Sequence, residues 1–146
     1  MSDVMSASPG IPARIGPDRW TQPWWDAAAE HRLVACQCAN CKTFRSPPSP
    51  YCPQCLSQEV NWVTLSGEAV LYTFTIIRHA PSPELAGSVP FVVGVVKLPD
   101  ADDAKLVTNV VNCRPEDVRI GMELQVVWDD LDEGVTVPRF EPRHEQ

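Results

Sequence analysis

The sequence predicts a mainly β fold class: an N-terminal helix, a zinc ribbon and a C-terminal five-stranded barrel of the OB type. Three observations predict it. Two Cys-x-x-Cys pairs, Cys38–Cys41 and Cys52–Cys55, stand ten residues apart in CANCKTFRSPPSPYCPQC. One stretch, TQPWWDAAAEH, has helical composition. From Gly67 the chain breaks into short apolar runs separated by Pro-, Gly- and Asp-bearing turns, the pattern of small β domains.

Residues 1–17 are small, polar and proline-bearing, without the apolar core of a signal peptide, and are expected to be flexible. Residues 18–32 form the helical segment. Thr21 is placed to cap it, Pro23 is tolerated in a first turn, and Ala27, Ala28 and Ala29 favour helix. With Thr21 as cap, Trp20 and Trp25 have the spacing of a hydrophobic staple, and Trp24 lies beside them. Three large aromatics on so short a helix must dock, either on their own domain or on a partner protein, where Trp is enriched at hot spots.

Residues 33–66 make the ribbon. Leu33 to Ala35 is a strand candidate leading into the first knuckle, a proline-stiffened loop reaches the second, and NWVTLSG closes the segment as a strand. Zinc takes four tetrahedral ligands, and two facing Cys-x-x-Cys turns supply them. Cys38, Cys41, Cys52 and Cys55 are therefore the expected ligands, with Lys42 and Arg45 near enough in sequence to soften their negative charge. Four thiolates leave no position for water or substrate, so the metal is structural. Iron in the same ligand set is chemically possible. A redox dithiol is disfavoured by the double pair. Cys36 is a spare thiol that gives a wider spacing than Cys38, and Cys113 is an ordinary thiol near a strand end.

Residues 67–140 make the barrel. GEAVLYTFTIIRH alternates, with Val70, Tyr72, Phe74 and Ile76 on the face expected to be core and Leu71, Thr73, Thr75 and Ile77 on the other. APSPELAGSVP is a loop. FVVGVVKL is a strand whose Gly94 suggests a bulge or tight bend. KLVTNVVN is a strand, CRPEDVRIGM a helical turn, and ELQVVWDD and VTVPRF are the last two strands. Residues 141–146 are a tail.

No catalytic set assembles. His31 sits at a helix end, His79 opens a loop and His144 lies in the tail; there is no Ser elbow or phosphate cradle. Asp102–Asp103 and Asp129–Asp130 read as solvated turns. No apolar run approaches the ~20 residues of a bilayer-spanning helix, and the cytoplasm is the default compartment. Residues 1–60 carry five basic and five acidic side chains, whereas residues 61–146 carry seven and fourteen. An acidic barrel argues against a nucleic-acid-binding ribbon-and-barrel module, the alternative reading, since such modules neutralise phosphates with Lys and Arg. A free-standing acyl-CoA binder would want clustered cations, and Arg78, Arg114, Arg119 and Arg139 are scattered along the chain.

The order of parts, with LVACQCANC, the PP before YCPQC, the Tyr72-Thr73-Phe74-Thr75 strand, EDVRIGMELQVVW and the closing VPRF, resembles the bacterial and archaeal family once labelled "domain of unknown function thirty-five". The resemblance runs from about Trp20 to Phe140; Cys36 and the single Pro90 before Phe91 depart from it. It implies a rubredoxin-like zinc ribbon followed by an OB-fold. It also implies a non-catalytic, structural-zinc subunit of a hetero-oligomer whose thiolase-like partner cleaves a CoA thioester by thiolysis or retro-aldol chemistry. Steroid side-chain or aromatic degradation is the expected setting, and some members pair with a MaoC-like hydratase. On that reading Arg78, His79, Phe91, Arg139 and Phe140 are candidates for a wall of the partner's pocket, and Trp20, Trp24 and Trp25 for docking.

Overall fold

The computed structural model describes residues 17–131 and 134–144; the expectations for residues 1–16 and for the last two residues lie outside them. One helix, α1 (Gln22–Ala29), precedes eight strands: β1 (Val34–Cys38), β2 (Phe44–Arg45), β3 (Val60–Thr64), β4 (Glu68–Ile77), β5 (Phe91–Leu98), β6 (Ala104–Val110), β7 (Glu123–Asp130) and β8 (Thr136–Pro142). They form a three-stranded sheet in the order β2-β1-β3 and a closed barrel in the order β4-β5-β6-β8-β7. The fold is mainly β, with one N-terminal helix, a four-cysteine ribbon and a five-strand OB barrel, as the sequence predicts.

The helix starts by a different device from the one predicted. Thr21 makes no side-chain cap bond to the helix. Instead Asp18 Oδ1 accepts the N–H groups of Trp20 and Thr21, each at 2.9 Å, and Thr21 offers its hydroxyl to Asp18. Those bonds, that from Thr21 N–H foremost, lower the Asp18 pKa. At the other end the N–H of His31 reaches Ala28 O at 2.9 Å and that of Arg32 reaches Ala27 O at 2.9 Å. This is a Schellman closure, with His31 in the left-handed position that glycine usually takes (φ 57°). The helix's small face, Ala27 and Ala28, is buried.

β4 breaks its alternation. Its register against β5 shifts between Leu71 and Thr73, so Tyr72 is the extra residue of a bulge. The phase flips there. Ala69 and Leu71 face the core on one side of the bulge, and Phe74 and Ile76 pack against it on the other. Tyr72, expected in the core, is 49% exposed, with the Lys105 ammonium 4.8 Å from its ring centre. Leu71, assigned to the opposite face, is buried. Gly94 lies across from the bulged strand, paired with Phe74 and Thr108. It is the site of a close approach, and the bend it was expected to make belongs to β4.

Barrel closure is uneven. β7 and β8 share seven paired positions, whereas β6 meets β8 in parallel at a single pair, Val110 with Phe140. The core is continuous: Leu33 and Ala35 from the ribbon side join Leu71, Val92, Val96, Val110, Leu124 and Phe140 of the barrel in one buried cluster. No helix among the described residues is long and apolar enough to cross a membrane.

Candidate metal centre and partner-facing surface

The two knuckles are built alike. In the first, the N–H of Lys42 bonds Cys38 O at 3.0 Å and the N–H of Cys38 bonds Thr43 O at 2.8 Å. In the second, Leu56 N–H bonds Cys52 O at 3.0 Å and Cys52 N–H bonds Ser57 O at 2.9 Å. Lys42 and Leu56 both take the left-handed conformation, φ 67° and 65°, which turns each chain back after its second cysteine. The strand pairing of β1 with β3 brings the first knuckle to the end of the sheet, where Cys38 lies opposite Val60.

The result is four Sγ atoms all within 4.8 Å of one another. Cys38 and Cys55 are 3.6 Å apart, and Cys41 and Cys52 3.5 Å apart. A tetrahedral zinc with bonds of about 2.3 Å requires S···S separations near ~3.8 Å, so the donor set fits such an ion. Backbone amides point at the sulfurs: Cys41 N–H at Cys38 Sγ (3.5 Å) and Gln54 N–H at Cys52 Sγ (3.4 Å). The side-chain amide of Asn40 donates to Cys55 Sγ at 3.5 Å. The Cys41 N–H foremost brings the Cys38 thiol down to about 6, which favours the thiolate that metals bind.

Arg45 makes specific bonds beside the second knuckle. It is 3% exposed and gives Nη1 to Ser49 O and Nη2 to Ser57 O, both at 2.8 Å. The guanidinium thereby ties the proline loop to the second knuckle. The Lys42 ammonium goes to Ala39 O at 3.2 Å. Cys36 and Cys113 are buried, and burial raises both thiols above their ordinary value. Neither belongs to the cluster.

The expected wall residues do not come together on an open face. Arg78 and His79 are exposed at the end of β4. Phe91 is buried at the start of β5, and Phe140 is fully buried in the barrel core. Arg139 is a barrel tie: Nε donates to Asp129 Oδ2 at 3.4 Å and Nη1 to Asn109 Oδ1. A wall made from the two phenylalanines is therefore corrected: both are buried, Phe140 within the core cluster and Phe91 outside it. Sequence reasoning also missed His31, whose ring bonds Asp130 Oδ1 at 2.9 Å and stacks on Trp128 (5.6 Å between centres, 4° between planes). Asp130 also accepts from the Thr136 hydroxyl at 2.7 Å, so it is no free turn residue.

The tryptophans are half-buried. Trp24 and Trp25 meet edge to face at 4.7 Å, and the Arg19 guanidinium lies 4.6 Å from the Trp20 ring centre. Trp24 and Trp25 line an apolar groove of about 460 Å³ together with Pro47, Pro48, Lys105 and Val107.

Comparison with known proteins places this architecture. Residues 25–61 match the family model for the ChsH2 rubredoxin-like zinc ribbon domain, and residues 62–129 that for the ChsH2 C-terminal OB-fold domain. A DUF35 domain-containing scaffold protein of Methanocaldococcus jannaschii is 31% identical over 117 residues, covering 77% of this chain and 81% of that protein. The chain belongs to the DUF35 family. A solved DUF35 chain, from a structure described as an Ltp2-ChsH2(DUF35) aldolase, superposes with a TM-score of 0.79 at 37% identity, over 88% of this chain and 98% of that one. A probable enoyl-CoA hydratase alpha subunit of Thermomonospora curvata is 39% identical over 119 residues. This DUF35 chain spans 36% of that subunit's length.

Proposed function

We propose that this DUF35 chain is the non-catalytic subunit of a hetero-oligomeric acyl-CoA enzyme. Its partner is a thiolase-superfamily protein that breaks a carbon–carbon bond in a CoA thioester. The observation that carries this reading is the 37% identity, across 98% of its length, to the DUF35 chain of an aldolase assembly. The metal site supports it. Cys38, Cys41, Cys52 and Cys55 would hold zinc with all four tetrahedral positions filled by sulfur. Bound there, zinc supplies cross-linking of two knuckles and no Lewis-acid chemistry on substrate. The chain's own groups then do structural work: Arg45 fixes the loop between the knuckles, and the sheet β2-β1-β3 holds α1 and its tryptophans on the barrel. The exposed loop from Arg78 toward Phe91 stands at one end of the barrel as the segment available to border the partner's acyl-CoA cleft.

The test is co-expression with a thiolase-superfamily protein from the same genome, followed by assay of the purified complex with 3-hydroxyacyl-CoA esters. Cleavage to an acyl-CoA and a carbonyl fragment should require both chains. Turnover by this chain alone, or normal turnover by the partner without it, would overturn the assignment.

A further inference from the structure

The uneven closure of the barrel leaves one strand edge without a full-length strand partner among the described residues. On one side β6 pairs with β5 along its whole length, from Ala104 opposite Leu98 to Val110 opposite Val92. On the other, no strand among the described residues pairs with β6 before Val110. The Lys105 carbonyl shows which residues face that gap, because it accepts the Ser46 hydroxyl, away from β5. Backbone direction alternates along a strand, so Val107, two residues on, also turns its N–H and C=O toward the gap. The Val107 side chain is 69% exposed.

The gap is the groove. Its far wall is Trp24 and Trp25 of α1 with Pro47 and Pro48, and its near wall is the β6 edge at Lys105, Leu106 and Val107. Unpaired N–H and C=O groups beside apolar side chains are a template for an added strand.

The charge at this place is opposite to that of the molecule. The chain has a net charge of −7 and three lysines, and two of them, Lys97 and Lys105, are direct cross-strand partners on β5 and β6. Like charges opposite each other destabilise a sheet. Among the described residues neither lysine forms an ion pair with a carboxylate. Lys105 lies over Tyr72 at the groove's rim, and Tyr72 stays exposed because of the bulge.

We propose that this groove takes an extended, acidic segment of a partner polypeptide, which adds to the open edge of β6 as a strand. It would pair with the backbone of Val107, set alternate apolar side chains against Trp24, Trp25 and Pro48, and bring carboxylates to Lys105 and Lys97. The proposal deepens the partner reading above by naming the kind of segment the chain receives.

The probe is a synthetic peptide, acetyl-TVEVEVT-amide, titrated into the full-length chain beside its lysine counterpart, acetyl-TVKVKVT-amide. Tryptophan fluorescence reports binding and amide hydrogen exchange reports the edge. The acidic peptide should bind at least tenfold tighter than the basic one, and its binding should slow exchange at the Val107 amide about tenfold or more. Lys105→Glu, a surface change, should reverse the preference. Val107→Pro removes an N–H that no strand among the described residues uses and should abolish binding while the thermal midpoint stays within a few degrees of wild type. Equal affinities for the two peptides, or binding without protection at Val107, would overturn the proposal. So would a Val107 amide already protected in the isolated full-length chain, which would mean that the edge is already occupied. The assay contains no acyl-CoA enzyme, so its failure leaves the subunit assignment standing, and failed co-purification leaves a positive peptide result standing.

Discussion

A Cβ placed on Gly94 would lie 3.0 Å from Leu71 Cδ1 and 3.3 Å from Val110 Cγ2. Both neighbours are among the least exposed side chains of the barrel, at 1% and 0%. Overfilling a packed core costs roughly 1–3 kcal/mol. Gly94→Ala should therefore lower the unfolding free energy by that amount, read as a lower urea midpoint with an unchanged m-value, and a midpoint equal to wild type would show that the bulged β4 yields freely. The same strand shows what periodicity reveals at single-residue resolution. The alternation of residues 68–77 marks a strand correctly, but a bulge changes phase without changing composition, so Tyr72 reads as core and Leu71 as surface when the reverse holds. Phe140 misleads in a related way. The family resemblance makes the closing VPRF segment a candidate wall, yet the alternation of β8 sends Phe140 inward.

At the scale of elements, the knuckles were legible because their chemistry is local: each ligand pair closes its own turn, and the spacing states it. The attachment of α1 to the barrel was not legible, because it depends on pairs 99 residues apart, such as His31 with Asp130. The His31 hydrogen bond, then that of Thr136, lowers the Asp130 pKa below 3.8. A depressed carboxylate stabilises the fold once the group is ionised in the unfolded chain, above that value. The contribution disappears as pH falls through the still lower folded value. Comparison of wild type with Asp130→Asn by thermal melting should show the wild-type advantage at pH 5 and its loss below about pH 4. The advantage should not exceed a few degrees, because the two side chains are 48% and 64% exposed and solvent screens them. An advantage that grows on acidification would contradict the assignment.

For the whole molecule, the order helix, ribbon, barrel was readable from cysteine spacing and strand-and-turn punctuation. The order of strands around the barrel was not, since a single parallel pair between β6 and β8 closes it and periodicity carries no information about neighbours. The same limit hid the groove, whose walls come from α1, the proline loop and β6. Nor did the sequence show that ribbon and barrel share a core. Leu33 and Leu65 flank the ribbon strands and Ala35 lies within β1, yet they sit in one cluster with Ala69, Leu98 and Ala101 of the barrel side. If the ribbon opens, those barrel residues are uncovered, so the two sheets cannot melt independently. Structural zinc can contribute apparent binding energy of about 10 kcal/mol, comparable to the total stability of a domain this size. Removing it should therefore unfold the ribbon and take the barrel with it. Labelling with 5-fluorotryptophan separates the two, because Trp62 lies in β3 and Trp128 in β7. On titration with a zinc chelator, both fluorine resonances should leave their native positions together. If Trp128 keeps its native resonance after Trp62 has lost its own, the cluster does not bind the two sheets into one cooperative unit, and the ribbon is an independent module on a self-sufficient barrel.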